Sequence, residues 1–282
     1  MNLILIGKGS ILFSILNKLS KNKKLKVKCI FWDKNFNNSE DKYFLKNLKN
    51  KYKVYCVKNI NLQKYINLLK FSKFDYMFSI NNTQIFKSHI IKKFKNKIIN
   101  YHYSLIPSYK GLYSCTKVIL KNEKFTGISW HFVTEKLDNG PIIFQKKLKI
   151  QKKDNAARLI IKLNKLCINT FFSFLKRLNN KKFILPSKKK DFKLKIKDNK
   201  YSKINTNMSS QMIFQKFRAF NYYPFISPLP KIKIQLDKFL EIKNILIIKK
   251  PKIKINKFLK ITEGEYIIKT QDNKYLNIFA SN

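Results

Sequence analysis

The strongest constraint on the fold of this chain is the alternation of strand-like and helix-like segments in its first 100 residues. Residues 2–6 are an apolar run, and residues 11–20 place isoleucine and leucine at helical spacing. The same pattern continues with strand-like runs at 26–32, 53–57 and 76–80 and helix-like segments near 42–50, 61–71 and 84–94. Strands that alternate with helices at this spacing form a parallel sheet with helices on both faces. The sequence therefore predicts an α/β fold.

The rest of the chain predicts a second, smaller domain. Asp154 has the position of an N-cap for a long amphipathic helix that ends near Leu178. Residues beyond a short helix at 211–220 form five strand-like runs with little helix, which indicates a small β-barrel of the OB-like kind. The strand-like runs cover 231–236, 241–249, 252–261, 265–270 and 274–279. We therefore predict a catalytic domain over 1–180, a basic linker over 181–207 and a β-barrel-like domain over 208–282.

The net charge of +46 has two interpretations. Arginine contributes only three of the 61 cations, and lysine, asparagine and isoleucine are abundant while glycine is scarce, as AT-rich codon usage would produce. Alternatively, dense lysine serves a polyanionic partner, because lysines that neutralise phosphates release counterions. The even spread of lysine along the chain favours the first interpretation. A surface this basic would bind RNA weakly in either case.

Composition also sets expectations about location. The apolar runs are far shorter than the roughly 20 residues that a bilayer span needs, and the N-terminus has no basic signal region. The four cysteines are scattered without a CxxC pair, which is typical of packed thiols in a reducing compartment and predicts no metal site. We expect a cytoplasmic protein with no membrane partner, and a monomer is the favoured state.

The turn Gly7-Lys8-Gly9, with Asp33 at the end of the second strand, invites a dinucleotide-binding interpretation. Leu12 stands where the third glycine of that motif would be. A glycine turn after the first strand is also common to doubly wound sheets in general. The sequence therefore gives nicotinamide binding little support.

Asn100, His102 and Asp138 are the candidate catalytic residues. Asn100 and His102 follow a strand-like run, and ligands bind outside the carboxyl ends of strands in open α/β sheets. Residues i and i+2 of an extended segment point to the same side, so an amide and an imidazole can together hold an oxyanion. Asp138, in the turn Asp138-Asn139-Gly140-Pro141, can hold the imidazolium or accept a proton. This trio predicts acyl-group chemistry.

Two further residues have open interpretations. His131 alternates along a strand-like run, which predicts a packed or supporting role rather than catalysis. Arg218 is one of three arginines, and it fits either an ion pair at a surface or domain interface or a phosphate contact. The sequence does not decide between these two roles.

The segment from Asn100 to Gly111 and the segment from Thr126 to Gln145 resemble the folate-dependent formyltransferases. That signature is Asn-x-His, then Ser-Leu-Leu-Pro and a downstream Asp-x-Gly turn, and Ile106 replaces one leucine here. The resemblance implies a Rossmann-like catalytic domain that uses 10-formyltetrahydrofolate and no metal. It also implies a folate site lined by Ser104, Leu105, Ile106 and Pro107, with Asn100, His102 and Asp138 as the catalytic trio.

The acceptor amine is the open question. The C-terminal region resembles the second domain of the methionyl-tRNA type, which implies initiator methionyl-tRNA as acceptor and partner. Two features depart from that type: the first turn is Gly7-Lys8-Gly9-Ser10-Ile11, and residues 34–41 contain neither glycine nor arginine. The stretch Trp130–Gln145 resembles enzymes that formylate small amines, such as a nucleotide-linked amino sugar or a carrier-bound amino acid. A non-enzymatic RNA-binding protein with a decayed fold is the third alternative, although a binding module would need none of the trio.

Overall fold

The structure is a computed structural model that describes residues 1–35, 39–187, 192, 194 and 202–281. Its helices are α1 (Gly9–Ser20), α2 (Ser39–Lys49), α3 (Gln63–Phe71), α4 (Ser88–Lys93), α5 (Ser114–Leu120), α6 (Ala156–Asn179) and α7 (Ser210–Phe220). The first seven strands are β1 (Asn2–Gly7), β2 (Lys26–Asp33), β3 (Val54–Val57), β4 (Tyr76–Ile80), β5 (Ile98–His102), β6 (Phe125–Phe132) and β7 (Ile142–Lys149). The later strands are β8 (Lys203–Ile204), β9 (Lys233–Gln235), β10 (Phe239–Ile248), β11 (Phe258–Thr262), β12 (Glu265–Lys269) and β13 (Tyr275–Ser281).

The chain divides into two compact units. Unit 1 comprises Met1–Leu112, Thr126–Leu148 and Lys162–Asp191, and unit 2 comprises Tyr113–Phe125, Lys149–Ile161 and Phe192–Asn282. The predicted domain boundaries remain predictions, because residues 188–191, 193 and 195–201 of the predicted linker lie outside the described residues.

A seven-stranded sheet in the order β3-β2-β1-β4-β5-β6-β7 organises the first part of the chain. The first five strands pair in parallel, and β6 runs antiparallel to β5. Continuous apolar runs explain the burial of the central strands, since Leu3, Ile4, Leu5 and Ile6 of β1 are fully buried. The prediction of an α/β sheet with interleaved helices is confirmed.

The carboxyl ends of β1 and β4 approach each other closely at Gly7. A Cβ on this residue would lie 1.7 Å from the carbonyl oxygen of Ile80, and its φ of +146° also lies in the region that favours glycine. The glycine turn therefore has a packing reason that is independent of any bound nucleotide.

The second sheet has the order β11-β12-β13-β10-β9-β8. Its strand pairs are antiparallel except for β8 with β9, which are parallel. The sequence predicted five strands in this region, and the short strand β8 is a sixth. The run at 252–261 was predicted too long, because β11 begins only at Phe258. Closure of this sheet into an OB-like barrel remains a prediction.

One sequence prediction about unit 2 is wrong, and Arg218, whose role the sequence left open, has a defined contact. Asp154 is not the N-cap of α6: its carboxylate accepts from the Gln151 amide, while Asn155 Oδ1 accepts from the Arg158 amide at 2.8 Å, as an N-cap does. Arg218 donates from Nε to the main-chain oxygen of Asp154 at 2.7 Å, which is a structural contact inside unit 2.

No helix among the described residues is both long and apolar enough to cross a membrane.

Candidate active site

The site begins with the pairing of β5 and β6 in unit 1. The register of this antiparallel pair places Asn100 opposite His131 and His102 opposite Ser129. Asn100 and His102 share one face because they are two residues apart in a strand, as the sequence predicted. The register adds His131 to the same face, directly across from Asn100.

Asp138 contacts both histidines and the main chain of Gly111. Its Oδ2 lies 3.4 Å from Nδ1 of His102 and accepts from the Gly111 amide at 2.7 Å. Its Oδ1 lies 3.3 Å from Nε2 of His131. His102, His131 and Asp138 are 6%, 1% and 7% exposed, so the carboxylate meets these partners in place of bulk water. The structure therefore brings the predicted trio together and adds His131 as a fourth member.

Glycine lets the Asp138 turn reach this position. The chain after Asp138 passes so close to β6 that a Cβ on Gly140 would lie 1.9 Å from the carbonyl oxygen of Phe132. Pro141 then accepts from the Phe132 amide through its carbonyl oxygen at 3.0 Å. Gly140 thus fixes the approach of the loop to the strand, and Asp138 is held over the two histidines.

The pKa of Asp138 reflects a balance of burial and attraction. Burial alone raises it, but the imidazole of His102, the hydrogen bond and charge of His131 and the Gly111 amide together hold the pKa well below its usual range. Asp138 is therefore a carboxylate at neutral pH, which suits it to hold an imidazolium.

Both ring nitrogens of His102 face acceptors. Nε2 lies 3.0 Å from the main-chain oxygen of Tyr109, and Nδ1 faces the Asp138 carboxylate. A carbonyl oxygen and a carboxylate can only accept, so each ring nitrogen has an acceptor for a hydrogen that it carries. When both nitrogens are protonated, His102 places positive charge beside the Asn100 amide, where an oxyanion would develop.

His131 stands between a donor and an acceptor. Its Nδ1 lies 2.8 Å from the main-chain oxygen of Phe132 and so carries a hydrogen. Its Nε2 lies 3.3 Å from the amide nitrogen of Asn100 and 3.3 Å from Asp138 Oδ1. Nε2 can accept from Asn100 when unprotonated and donate to Asp138 when protonated. The sequence predicted a packed or supporting role for His131, and the strand register is what places it at the carboxylate.

The predicted folate segment lies in the loop after β5. Ser104 is fully buried, and its hydroxyl donates to the Ser108 carbonyl at 2.8 Å, so this side chain stabilises the loop. Ile106 is also buried, and its carbonyl oxygen accepts from Gln145 at 2.8 Å. Leu105 and Pro107 are partly exposed and are the members of the segment that a ligand can touch.

Asp33 has an internal role instead of the ribose-binding role that a dinucleotide motif would give it. It is fully buried. Its Oδ2 accepts from the amide and hydroxyl of Thr83 at 2.7 and 2.6 Å, and its Oδ1 accepts from Gln84 at 2.8 Å and the Asn35 amide at 3.0 Å. Each oxygen already holds two donors, which fills its usual capacity. Because Thr83 and Gln84 bind Asp33 in this way, the helix predicted at 84–94 does not start at Gln84, and α4 begins only at Ser88.

Comparison with known proteins gives the family. Residues 1–173 match the family model described as formyl transferase. The chain belongs to the formyl transferase family. The resemblance to folate-dependent formyltransferases is thereby confirmed.

Curated relatives match part of their own length. The bifunctional polymyxin resistance protein ArnA of Wigglesworthia glossinidia brevipalpis is 37% identical over 133 residues, covering 47% of this chain and 20% of that protein. The methionyl-tRNA formyltransferase of Finegoldia magna is 29% identical over 198 residues, covering 68% of this chain and 61% of that protein. The chain thus spans less than two thirds of the length of these relatives.

Solved structures match over the whole chain. The N-formyltransferase from Helicobacter canadensis, in complex with folinic acid and dTDP-3-aminofucose, has a TM-score of 0.71 at 22% identity and covers 99% of this chain and 98% of its own. The sugar 3N-formyl transferase WlaRD, determined with dTDP and 5-N-formyl-THF, has a TM-score of 0.71 at 22% identity, with coverage of 100% and 98%. Identity this low establishes the fold alone, and the predicted Rossmann-like formyltransferase fold is confirmed.

The low pKa of Asp138 predicts a pH dependence of stability. A carboxyl group with a depressed folded-state pKa stabilises the fold above its unfolded pKa of about 3.9 and loses that contribution as pH falls toward the folded value. We expect the free energy of unfolding to fall more steeply below about pH 4.5 in the wild type than in Asp138→Asn, by up to about 1.4 kcal/mol per pH unit. Urea unfolding of both proteins between pH 7 and pH 3 measures this difference. The same dependence of the free energy of unfolding on pH in the wild type and in Asp138→Asn would contradict the prediction.

Proposed function

We propose that this protein transfers a formyl group from 10-formyltetrahydrofolate to a primary amine. The observation that carries the proposal is the buried Asp138 carboxylate, held by His102 and His131 beside the Asn100 amide. Membership of the formyl transferase family gives the reaction class. Leu105 and Pro107 offer partly exposed apolar surface to the flat pterin ring of the folate.

Each group has a role in this reaction. The acceptor nitrogen attacks the formyl carbon, and negative charge grows on the formyl oxygen. Asn100 donates a hydrogen bond to that oxygen, and the charge of His102 stabilises it. Asp138 assists the transfer of the proton that the amine loses. The bond from the formyl carbon to N10 of the folate then breaks, and N10 takes up a proton from the site, so the protein is unchanged after one cycle.

The leading acceptor is the amino group of initiator methionyl-tRNA. Relatives named as methionyl-tRNA formyltransferases from Finegoldia magna, Caldicellulosiruptor saccharolyticus and Buchnera aphidicola match 68%, 54% and 69% of this chain. The basic surface suits an RNA partner. Residues 242–262 hold seven lysines and no acidic residue, namely Lys243, Lys249, Lys250, Lys252, Lys254, Lys257 and Lys260. This segment lies in unit 2.

A surface cavity of unit 2 fits the same partner. It has a volume of about 380 Å³ and is lined by Thr206, Asn207, Asn256, Lys257, Lys269, Thr270 and Gln271. Backbone hydrogen bonds join its walls, from Lys269 to Lys257 at 2.8 Å and from Gln271 to Met208 at 3.1 Å. Two ammonium groups with neutral amides and hydroxyls can take a phosphate of an RNA backbone.

The second candidate acceptor is a nucleotide-linked amino sugar. One solved formyltransferase was determined with dTDP-3-aminofucose, and another is described as a sugar 3N-formyl transferase with dTDP. Both match this chain over nearly its full length, so a second unit by itself does not favour a tRNA. The stretch Trp130–Gln145 and the departures at Gly7–Ile11 and 34–41 also favour a small amine.

Formyl transfer predicts that tetrahydrofolate release depends on an acceptor and on Asp138. We expect release with methionyl initiator tRNA and a loss of at least about 10³-fold in Asp138→Asn, because the amide cannot accept the amine proton. Glu135→Gln is the matched control, since this exposed carboxylate of the same loop pairs only at the surface with Lys92 at 3.8 Å. Release with an amino sugar alone would select the second acceptor, and full activity in Asp138→Asn would exclude the mechanism.

The tRNA interpretation also predicts a specific salt dependence. In Lys257→Gln with Lys269→Gln, the slope of log K against log salt concentration for tRNA binding should weaken by about 1 to 2, because each lost phosphate contact removes about 0.9. The charge-matched control is Lys23→Gln with Lys24→Gln in unit 1, which should leave the slope unchanged. Equal changes in both pairs would show that binding follows overall charge and not this cavity.

A further inference from the structure

A chain of hydrogen-bonded side chains connects Asp33 to Asn100, and the proposed mechanism uses none of those between them. We propose that Ser79 and Asn82 are positioning residues that fix the orientation of the Asn100 side-chain amide, so that its NH₂ group and not its oxygen faces the reacting formyl group. The proposal rests on the proposed function for the role of Asn100 in catalysis. The orientation itself follows from the hydrogen bonds alone.

The argument starts at Asn82, whose own orientation is determined by a neighbouring main chain. The Gln84 amide donates to Asn82 Oδ1 at 3.1 Å, and Asn82 Nδ2 donates to the Gln84 carbonyl oxygen at 3.1 Å. A main-chain N–H can only donate and a carbonyl can only accept, so the two ends of the Asn82 amide cannot be exchanged. Asn82 Nδ2 therefore presents its second hydrogen to Ser79 Oγ at 3.3 Å.

The Ser79 hydroxyl in turn determines the orientation of the Asn100 side-chain amide. Because Asn82 donates to its oxygen, the hydroxyl hydrogen of Ser79 is left for an acceptor, and Asn100 Oδ1 lies 2.9 Å away. Ser79 is 2% exposed and is the direct register partner of Asn100 across β4 and β5. If the Asn100 amide were reversed, the Ser79 oxygen would face two donors and its own buried hydrogen would have no acceptor.

The result is an amide with only one favourable orientation. Asn100 Oδ1 is directed at β4 and Nδ2 at the site, where it lies 3.3 Å from Nε2 of His131. This orientation follows from the Ser79 hydroxyl and does not depend on the tautomer of His131. It turns the Nδ2 hydrogens toward the site, where the formyl oxygen needs a donor as negative charge develops.

We call the hydrogen-bonded chain from Asp33 through Gln84, Asn82 and Ser79 to Asn100 the relay. Asp33 holds the end of the relay that is farthest from Asn100. Gln84 donates to Asp33 from Nε2 at 2.8 Å and accepts from the Ile60 amide at 3.0 Å, so its side chain is also fixed. Thr83 donates to the same carboxylate from its amide and hydroxyl. The turn that carries Asn82 is therefore held by a fully buried charge, which gives Asp33 a positioning role at the carboxyl edge of the sheet.

Kinetics of Ser79 variants test the relay through Asn100. Ser79→Ala should lower kcat on the order of 10- to 100-fold with little change in the KM for folate, because a free amide presents its donor only part of the time. Ser79→Thr keeps the hydroxyl and should retain activity within about threefold. In an Asn100→Ala background, Ser79→Ala should have no further effect, since it acts only through that amide. Ser20→Ala, on the exposed end of α1, is the control.

A spectroscopic measurement separates the relay from the proposed function. The side-chain NH₂ resonances of Asn100 in ¹⁵N-labelled protein should shift or broaden in Ser79→Ala and in Asn82→Ala, and should be preserved in Ser79→Thr. This change decides the orientation even if the protein transfers no formyl group to any amine. The proposal is overturned if these resonances are unchanged, or if Ser79→Ala lowers kcat equally with and without Asn100.

Discussion

The site depends on one interaction, the burial of the Asp138 carboxylate between two imidazoles. A carboxylate removed from water must be paired and hydrogen-bonded, because an isolated buried charge costs several kcal/mol. Here His102, His131 and the Gly111 amide meet that requirement at 3.4, 3.3 and 2.7 Å. The three partners come from β5, β6 and the loop between β5 and α5, so the charge can be buried only when these elements are correctly assembled. The same contacts that stabilise the carboxylate thus prepare the site for chemistry.

The rest of the carboxyl edge follows the same logic. Asp33 is a second fully buried carboxylate, and its partners Thr83 and Gln84 hold the turn after β4. That turn carries Asn82, and Asn82 and Ser79 lead to Asn100. Two buried charges therefore fix the two sides of the candidate site. An electrostatic site works best when its dipoles are already oriented before the reaction, and these contacts supply such preorganisation.

Much of this arrangement was predictable from the sequence because it depends on local patterns. Strand-helix alternation predicted the parallel sheet, and the spacing of Asn100 and His102 predicted a shared face. The position of His131 was not predictable, because it depends on the register of β5 against β6, which the pattern of residues does not give. The helix predicted at 84–94 begins only at Ser88, because Thr83 and Gln84 form hydrogen bonds with the Asp33 carboxylate. The N-cap of α6 is Asn155 and not Asp154, because the Asp154 carboxylate accepts from the Gln151 amide. The start of α4 was not predictable from local sequence, because the hydrogen bonds to Asp33 join residues 50 and 51 positions apart.

The most direct test of the central claim is a crystal structure of the protein with folinic acid, a stable formyl-folate. The account predicts that the pterin lies against Leu105 and Pro107, and that the folate nitrogens reach the group formed by Asn100, His102 and Asp138. The Asn100 nitrogen would be the donor directed at N10, the nitrogen that carries the formyl group in the substrate. Folate bound away from this group, or with the Asn100 oxygen toward N10, would contradict the account.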